Sequence, residues 1–469
     1  MKMILCKQKI QFTKSKNRTF ARCFGDHISM QSHTIETERT MKYIISTLGC
    51  KVNQYETQAM EGFLTEKGFE RAAPGEIADA VIVNTCAVTA ESGRKSRQLI
   101  RRLRDENPGA VLAVCGCYSQ IEPDAVQEIG ADVIFGAADR KKLVDAVARA
   151  CTAGEKHREI DEPFKRRELE RLPAGAVDHR TRAMLKIQDG CVNFCSYCII
   201  PYTRGRLRSL PPEEAAQEAA RLDAEGYREI VLTGIEVASY GVDLPGKPGL
   251  ADVIEAVAAA TPHMRIRLGS LEPTVITEDF CRRLAATGRL CRHFHLSLQS
   301  GCDRTLRAMN RKYDTATFFE KTQLLREFFP GCALTGDLIA GFPGETEEDF
   351  NATCTFLWKC RFAAMHVFPY SRRPGTPADS MPDQCPKRVK EERAHEAQRL
   401  CDSMHRDYLR ACVGQTLPVL FESEEDGFCT GHSDTYMPVK VRGSALRGQL
   451  RDVLVDRAEG GTLCGSIAE

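Results

Sequence analysis

Three cysteines packed into one short stretch, Cys191-Val-Asn-Phe-Cys195-Ser-Tyr-Cys198, give the sharpest chemical signal in the chain. Their C-x3-C-x2-C spacing brings three thiolate donors into one loop. A four-iron cluster usually takes four thiolates. Three donors with no fourth nearby leave one iron open to a substrate or cofactor. The competing reading is zinc, which takes four ligands at a structural site. The nearest spare imidazole, His179, precedes the strand leading into the loop. Three further cysteines, Cys50, Cys86 and Cys117, are far apart in sequence, each just past an apolar run. At the C-terminal ends of parallel strands such residues share one edge and can converge on one point. Chance placement of three among 21 cysteines is the alternative.

Both trios need strands and helices to carry them. From Met41 the chain alternates. Residues 43–48, 80–84, 111–114 and 131–135 read as strands, and 53–67, 91–104 and 140–151 as helices. That pattern predicts an α/β domain with a parallel sheet over 41–153. Residues 154–176 are charged and aperiodic, as in a linker. A second α/β domain is expected over 177–408, with strands at 183–187, 229–232, 265–268, 293–297, 334–339 and 364–368. Helices such as 212–225 and 346–359 fill the gaps, so six units close a partial (β/α)6 barrel. A long helix from Lys387 to about Arg410 ends it. Over 409–469 short β-like runs at 417–421, 437–441 and 450–455 predict a small C-terminal β-barrel.

The chain has 469 residues, enough for two or three domains with real cores. Lys and Arg number 65 against 64 Asp and Glu, so bulk charge does not attract nucleic acid and any RNA contact must be local. No run of eighteen apolar residues appears, so no membrane span is expected. The cysteine content is high, but the chain is longer than a disulfide-dense secreted domain and its start lacks an apolar signal core. Reduced thiols and a cytoplasmic location are expected. Cys281 and Cys354 lie in apolar runs and read as buried small hydrophobes. Residues 1–40 are basic and read as a transit-like leader, a disordered segment or an over-long start before Met41.

The loop Cys191–Cys198 resembles that of the radical S-adenosylmethionine (SAM) superfamily. Thr47-Leu-Gly-Cys50-Lys-Val-Asn-Gln-Tyr-Glu56, Val83-Asn-Thr-Cys86-Ala-Val-Thr89 and Gly116-Cys117-Tyr-Ser-Gln120 resemble three signatures of the methylthiotransferase family. The resemblance runs from about Met41 to the C-terminus. It implies two [4Fe–4S] clusters, one held by Cys191, Cys195 and Cys198, the other by Cys50, Cys86 and Cys117. It implies that SAM's amino and carboxylate groups chelate the open iron of the first, that one electron cleaves SAM to a 5′-deoxyadenosyl radical, and that the second takes part in sulfur delivery. Tyr197 matches the position packed near adenine. Gly234 and Glu236, in Leu232-Thr-Gly-Ile-Glu236, resemble a Gly-Gly-Glu element with Ile235 replacing one glycine. Ser270 and Gln299 end strands that face SAM's ribose and methionine. Residues 51–56 most resemble the MtaB branch. That implies a methylthio group placed on C2 of N6-threonylcarbamoyladenosine beside the tRNA anticodon, with a flavodoxin or ferredoxin as electron donor. The same chemistry on isopentenyladenosine or a ribosomal protein, or a non-catalytic iron–sulfur RNA sensor, are the rivals.

Several segments stay double-edged. Arg204, Arg206 and Arg208 would lie on one side of an extended segment, where they are either solvated or grip phosphate and carboxylate. The helix with Arg94, Lys95, Arg97, Arg101, Arg102 and Arg104 is either a solvated face or an RNA contact. The C-terminal module resembles a TRAM domain with a turn near 431–436. It carries six basic and nine acidic residues from Leu409 onward, a net of −3 that opposes phosphate binding. Cys115 adds a second thiol beside Cys117 and reads as a buried strand residue. Thr346 reads as the N-cap of its helix.

Overall fold

The computed structural model describes residues 39–175 and 181–468. Most of the leader read at 1–40, and His179, lie outside the described residues. The first sheet has six parallel strands in the order Glu70–Arg71, Lys42–Thr47, Ala80–Thr85, Val111–Gly116, Val133–Phe135 and His157–Glu159. Its central strand Ala80–Thr85 is buried throughout, as a parallel strand covered on both faces must be. Helices Lys51–Glu66 and Arg140–Ala153 cover one face and Ala90–Glu106 the other. The strand order reverses between Lys42–Thr47 and Ala80–Thr85, the kind of switch point that opens a binding crevice. The strand His157–Glu159 comes from the stretch read as aperiodic; three residues are too few to show a period. Leu169 and Leu172, further on, are buried in the core of the second domain.

That domain is the expected partial barrel. Arg182–Lys186, Glu229–Thr233 and Arg265–Leu268 form one parallel sheet; Ser270–Leu271, His293–Gln299, Ala333–Ala340 and Ala364–Pro369 form the next. Only Gly269 separates Leu268 from Ser270, so one chain segment passes from sheet to sheet and the wall curves. Alternate residues Phe294, Leu296 and Leu298 point outward into the apolar core under the helices. Thr346 caps Glu347–Cys360 as expected, with Asp349 returning the bond.

The C-terminal module is a closed five-stranded barrel. Two of its strands, Phe428–Ser433 and Thr462–Ile467, were not read from the sequence. Phe428–Ser433 does alternate buried and open positions, but its inward positions are held by Cys429, Gly431 and Ser433 rather than by large apolar residues. A Cβ on Gly431 would lie 2.1 Å from the Leu420 carbonyl oxygen, so the strands close only around glycine. The turn expected at 431–436 therefore begins inside this strand. The module docks through arginines of the large barrel. Arg265 donates to the carbonyls of Pro418 at 2.8 Å and His432 at 3.0 Å, and Arg292 pairs with Asp434 at 2.6 Å. Arg182 pairs with Glu422. Two of the module's acidic residues are thus engaged by the core.

Candidate functional site

Cys50, Cys86 and Cys117 follow three adjacent strands and meet at the switch-point edge. Glycine makes the approach possible. Gly49 and Gly116 have φ of 110° and 101°, and a Cβ would lie 3.0 Å from the Cys86 Cβ in the first case and 2.4 Å from the Thr85 carbonyl oxygen in the second. Asn53 clamps the edge by donating to the carbonyls of Leu48 at 2.8 Å and Thr85 at 3.0 Å. Although the Cys50 residue opens to solvent, crowding by the surrounding protein pushes its thiol up to about 11 against the pull of Arg204, and Cys117 and Cys86 add to the rise. Burial and then Cys117 also raise Cys86. Cys115 instead sits in the apolar cluster under Arg140–Ala153.

The second trio occupies the loop after Arg182–Lys186. Gly190, at φ 80°, lets the loop pass where a Cβ would lie 1.8 Å from the Arg206 carbonyl oxygen. Phe194, between two of the cysteines, is held at φ 46°, a left-handed conformation a bulky residue avoids. Asn310 holds it there by donating to the carbonyls of Phe194 at 3.0 Å and Asn193 at 3.3 Å. Arg311 reaches the Cys195 sulfur at 3.0 Å. Burial pushes Cys191 and Cys198 up to about 12. Cys195 and Cys117 add to the rise at Cys198, so the two trios lie within electrostatic reach of each other.

These donors fit iron–sulfur clusters. The thiols of Cys86, Cys191 and Cys198 are raised and resist ionising alone, and a bound metal supplies the charge that makes them thiolates. Arg204 and Arg311 stand ready as cations beside the sulfurs. Among the described residues no three His, Cys, Asp or Glu are close enough to hold a single metal ion. A four-iron cube holds its ligating sulfurs further apart than one zinc ion does.

Around the second trio lies a polar pocket wall. Gln188 accepts from the backbone N–H groups of Ile235 at 3.0 Å and Glu236 at 2.8 Å, and a Cβ on Gly234 would lie 2.9 Å from Gln188. The Gly234–Glu236 turn is thereby locked to the cysteine loop. Asn193 donates to Glu236 at 3.1 Å and Glu272 at 3.3 Å. Burial, then the neighbouring Glu272, pushes Glu236 up to about 7. Arg311 pairs with Glu272 at 3.0 Å. Gln299 ends its strand in the left-handed region at φ 67°, beside a register shift. Ser270 is exposed on the inner wall, and Tyr197 packs against the cluster of Met309, Phe342 and Tyr370. Asn193, Gln188, Glu272 and Arg311 were not among the expected site residues. Asn193 lies inside the three-cysteine motif, whereas no motif marks Arg311.

The three arginines do not share a face. Arg204 ends the short helix Ile200–Arg204, is fully buried and binds Glu56 and Asn53. Arg208 is buried against Asp189 and the carbonyls of Arg204 and Arg206. Helix, glycine turn and short strand replace the uniform extended segment on which alternation was assumed. Only Arg206 is exposed. Three exposed rings form a cluster of their own. Phe194 lies 5.8 Å from Tyr202 and 6.3 Å from Phe164, centroid to centroid. On the basic helix, Arg97 bonds Tyr118 and Arg104 pairs with Asp132, while Lys95 and Arg101 are exposed.

Residues 185–357 match the Radical SAM superfamily, and residues 42–136 match the uncharacterized protein family UPF0004. The chain is 40% identical over 404 residues to the threonylcarbamoyladenosine tRNA methylthiotransferase MtaB of Bacillus subtilis, covering 85% of this chain and 90% of that one. It is 34% identical to the MtaB of Thermotoga maritima, covering 88% and 93%. It is also 34% identical to the tRNA-2-methylthio-N(6)-dimethylallyladenosine synthase of Pelotomaculum thermopropionicum, covering 91% and 98%. Among solved structures, the radical S-adenosylmethionine methyltransferase TsrM of Kitasatospora setae superposes with a TM-score of 0.52 over 82% of this chain and 79% of that one, at 17% identity. That likeness concerns the fold alone.

Proposed function

Because this chain belongs to the radical SAM methylthiotransferase family, we propose that its substrate is tRNA carrying N6-threonylcarbamoyladenosine, methylthiolated at C2 of the adenine. It is a SAM-dependent enzyme transferring a sulfur-containing group, and its family's cofactors are two [4Fe–4S] clusters and SAM. Cys191, Cys195 and Cys198 hold the cluster that binds SAM; Cys50, Cys86 and Cys117 hold the other. When bound, these groups supply the electron, the activation of the C2–H bond and the methylthio group.

The protein's own part is placement. Glu236 and Glu272 accept N–H donors from SAM, and Gln188 and Gly234 fix the turn that presents Glu236. Tyr197, Ser270 and Gln299 complete the SAM wall. Asn53, Glu56 and Arg204 hold the two domains so that the trios stay within electrostatic reach of each other. Arg206 takes a phosphate, and the exposed rings of Phe164, Phe194 and Tyr202 stack on unpaired bases of the anticodon loop. The electron donor is a flavodoxin or ferredoxin, and the enzyme works in the cytoplasm. Among the described residues no helix is long and apolar enough to cross a membrane.

The observation that carries this reading is the pair of thiol trios, one at each domain's strand ends and within electrostatic reach of the other. An RNA-binding sensor has no use for the Glu236–Glu272 wall beside one of them. The test gives the reconstituted enzyme tRNA with the threonylcarbamoyl group, tRNA with isopentenyladenosine, and ribosomal protein, with mass spectrometry of the products. A methylthio product on the first is expected. Product only on the second or third overturns the substrate, and none on any, with both clusters intact, overturns the chemistry.

A further inference from the structure

A set of polar side chains that this chemistry does not use faces the barrel lumen. Alternation turns Phe294 and Leu296 outward and His293 and His295 inward. Register pairs His295 with Thr335 and, two residues further along, Asp337 with His366, so these groups line two successive levels of the inner wall. The Thr335 hydroxyl oxygen lies 3.0 Å from both His293 Nε2 and His295 Nδ1, and His295 Nε2 lies 3.2 Å from Asp337 Oδ2. The rings of His295 and His366 are 6.0 Å apart. This chain of hydrogen bonds fixes His295 and, through it, Asp337. Among the described residues it leaves the Asp337 Oδ1 and the exposed His366 ring without a hydrogen-bond partner, both turned to the lumen.

We infer that Asp337 and His366 form the subsite for a urea-linked amino-acid substituent on the target adenine, Asp337 accepting its N–H or hydroxyl protons and His366 donating to its carboxylate. The inference rests on the substrate proposed above and adds where that substrate's polar arm goes. An apolar dimethylallyl arm on the same nitrogen would strip water from Asp337 and His366 and return no hydrogen bond, which disfavours it. A hydrogen-bonding arm replaces that water group for group. The subsite therefore separates the two modified adenosines named in the relatives by chemistry rather than by size.

The test compares wild type with Asp337→Asn, His366→Leu and His366→Gln on tRNA bearing threonylcarbamoyladenosine and on tRNA bearing dimethylallyladenosine. The expected result for His366→Leu is a KM for the first tRNA raised about tenfold to a hundredfold, the scale of one unpaired buried group, with a smaller change in kcat. The ratio of kcat/KM between the two tRNAs falls by a similar factor, and His366→Gln, which keeps a donor, recovers part of it. Iron content and the thermal transition of each variant report folding separately. An unchanged ratio in Asp337→Asn and His366→Leu, with normal iron, overturns the subsite alone. A wild type inactive on the first tRNA overturns the substrate reading and the subsite with it.

Discussion

The guanidinium of Arg204 lies fully buried on the carboxylate of Glu56, Nη2 to Oε2 at 3.3 Å, although 148 positions separate the two residues. Glu56 sits one turn and a half past Cys50 on the helix of the first domain; Arg204 follows the second cysteine trio in the barrel. Arg140 at 2.8 Å and Lys186 at 3.4 Å share the same carboxylate. The pair is therefore the rivet that fixes one trio against the other.

Removing the anion takes the ion-pair partner from buried Arg140 and leaves buried Arg204 and Lys186 to share Asp189. Glu56→Gln is expected to cost about 3–5 kcal/mol, read as a lower denaturation midpoint of the apo chain. Burial would raise Glu56, but Arg140, Arg204 and Lys186 overcome it and hold the carboxyl at about 2. The depressed value fixes the sign. Stability from this group is complete above the usual carboxylate range near 4.5 and is lost as pH falls towards 2. A wild-type acid transition that Glu56→Gln leaves unchanged would sink the assignment.

Glu236 runs the opposite way. Burial and Glu272 push it up to about 7, so it is neutral below that pH and ionised above. Its ionised form is disfavoured in the folded protein, so between the usual 4.5 and 7 the group increasingly opposes folding, and above 7 the penalty is complete. Glu236→Gln is expected to raise the melting temperature of the SAM-free protein at pH 8 and leave it little changed at pH 4.5. The same change should flatten the rise in SAM affinity as pH climbs through 7, because only the ionised carboxylate attracts the sulfonium ligand.

Much of this architecture was legible beforehand, for reasons visible in single segments. Apolar runs ending in Gly-Cys or Thr-Cys put Cys50, Cys86 and Cys117 at strand ends, and a parallel sheet then brings those ends together. Burial on both faces made Ala80–Thr85 and Val111–Gly116 continuous apolar runs, easy to see. The arginines at 204, 206 and 208 misled because two-residue alternation applies only to extended backbone, and Gly205, at φ 75°, breaks the segment between helix and strand. Arg311 was hidden because its partners, Cys195 and Glu272, are brought to it only by the closed wall of the barrel. The strand Phe428–Ser433 was hidden because glycine and serine fill inward positions where large apolar residues usually stand.

The cysteine assignment is checked by iron. Replacing Cys191, Cys195 and Cys198 with Ala is expected to leave about half the iron of the reconstituted wild type and to abolish SAM cleavage. Replacing Cys50, Cys86 and Cys117 should also leave half, yet retain cleavage without methylthio product. Cys115→Ala should keep all the iron, since Cys115 packs among Ala113, Val133 and Phe135. Loss of iron in that last variant would move the ligand from Cys117 to its neighbour.

The proposed RNA contact divides into charge and stacking, and the two respond differently to salt. Arg206 is the exposed member of its arginine trio, whereas Arg204 and Arg208 are engaged inside the protein. Arg206→Ala is expected to weaken tRNA binding and lower the slope of log affinity against log salt by about 1, the signature of one lost phosphate contact. Tyr202 packs edge-on against Phe194 with 38% of its surface open, beside the equally open Phe164. A ring there contributes by stacking on a base, so Tyr202→Leu should cost about 1–3 kcal/mol of tRNA affinity with the salt slope intact, while Tyr202→Phe keeps the affinity. Binding isotherms for the anticodon stem-loop at several salt concentrations separate the two. If Tyr202→Leu bound as tightly as Tyr202→Phe, the rings would be packing for the cysteine loop alone. If Arg206→Ala left the slope unchanged, the phosphate contact would have to come from elsewhere, with Lys95 and Arg101 on the helix Ala90–Glu106 as the exposed cations to examine next.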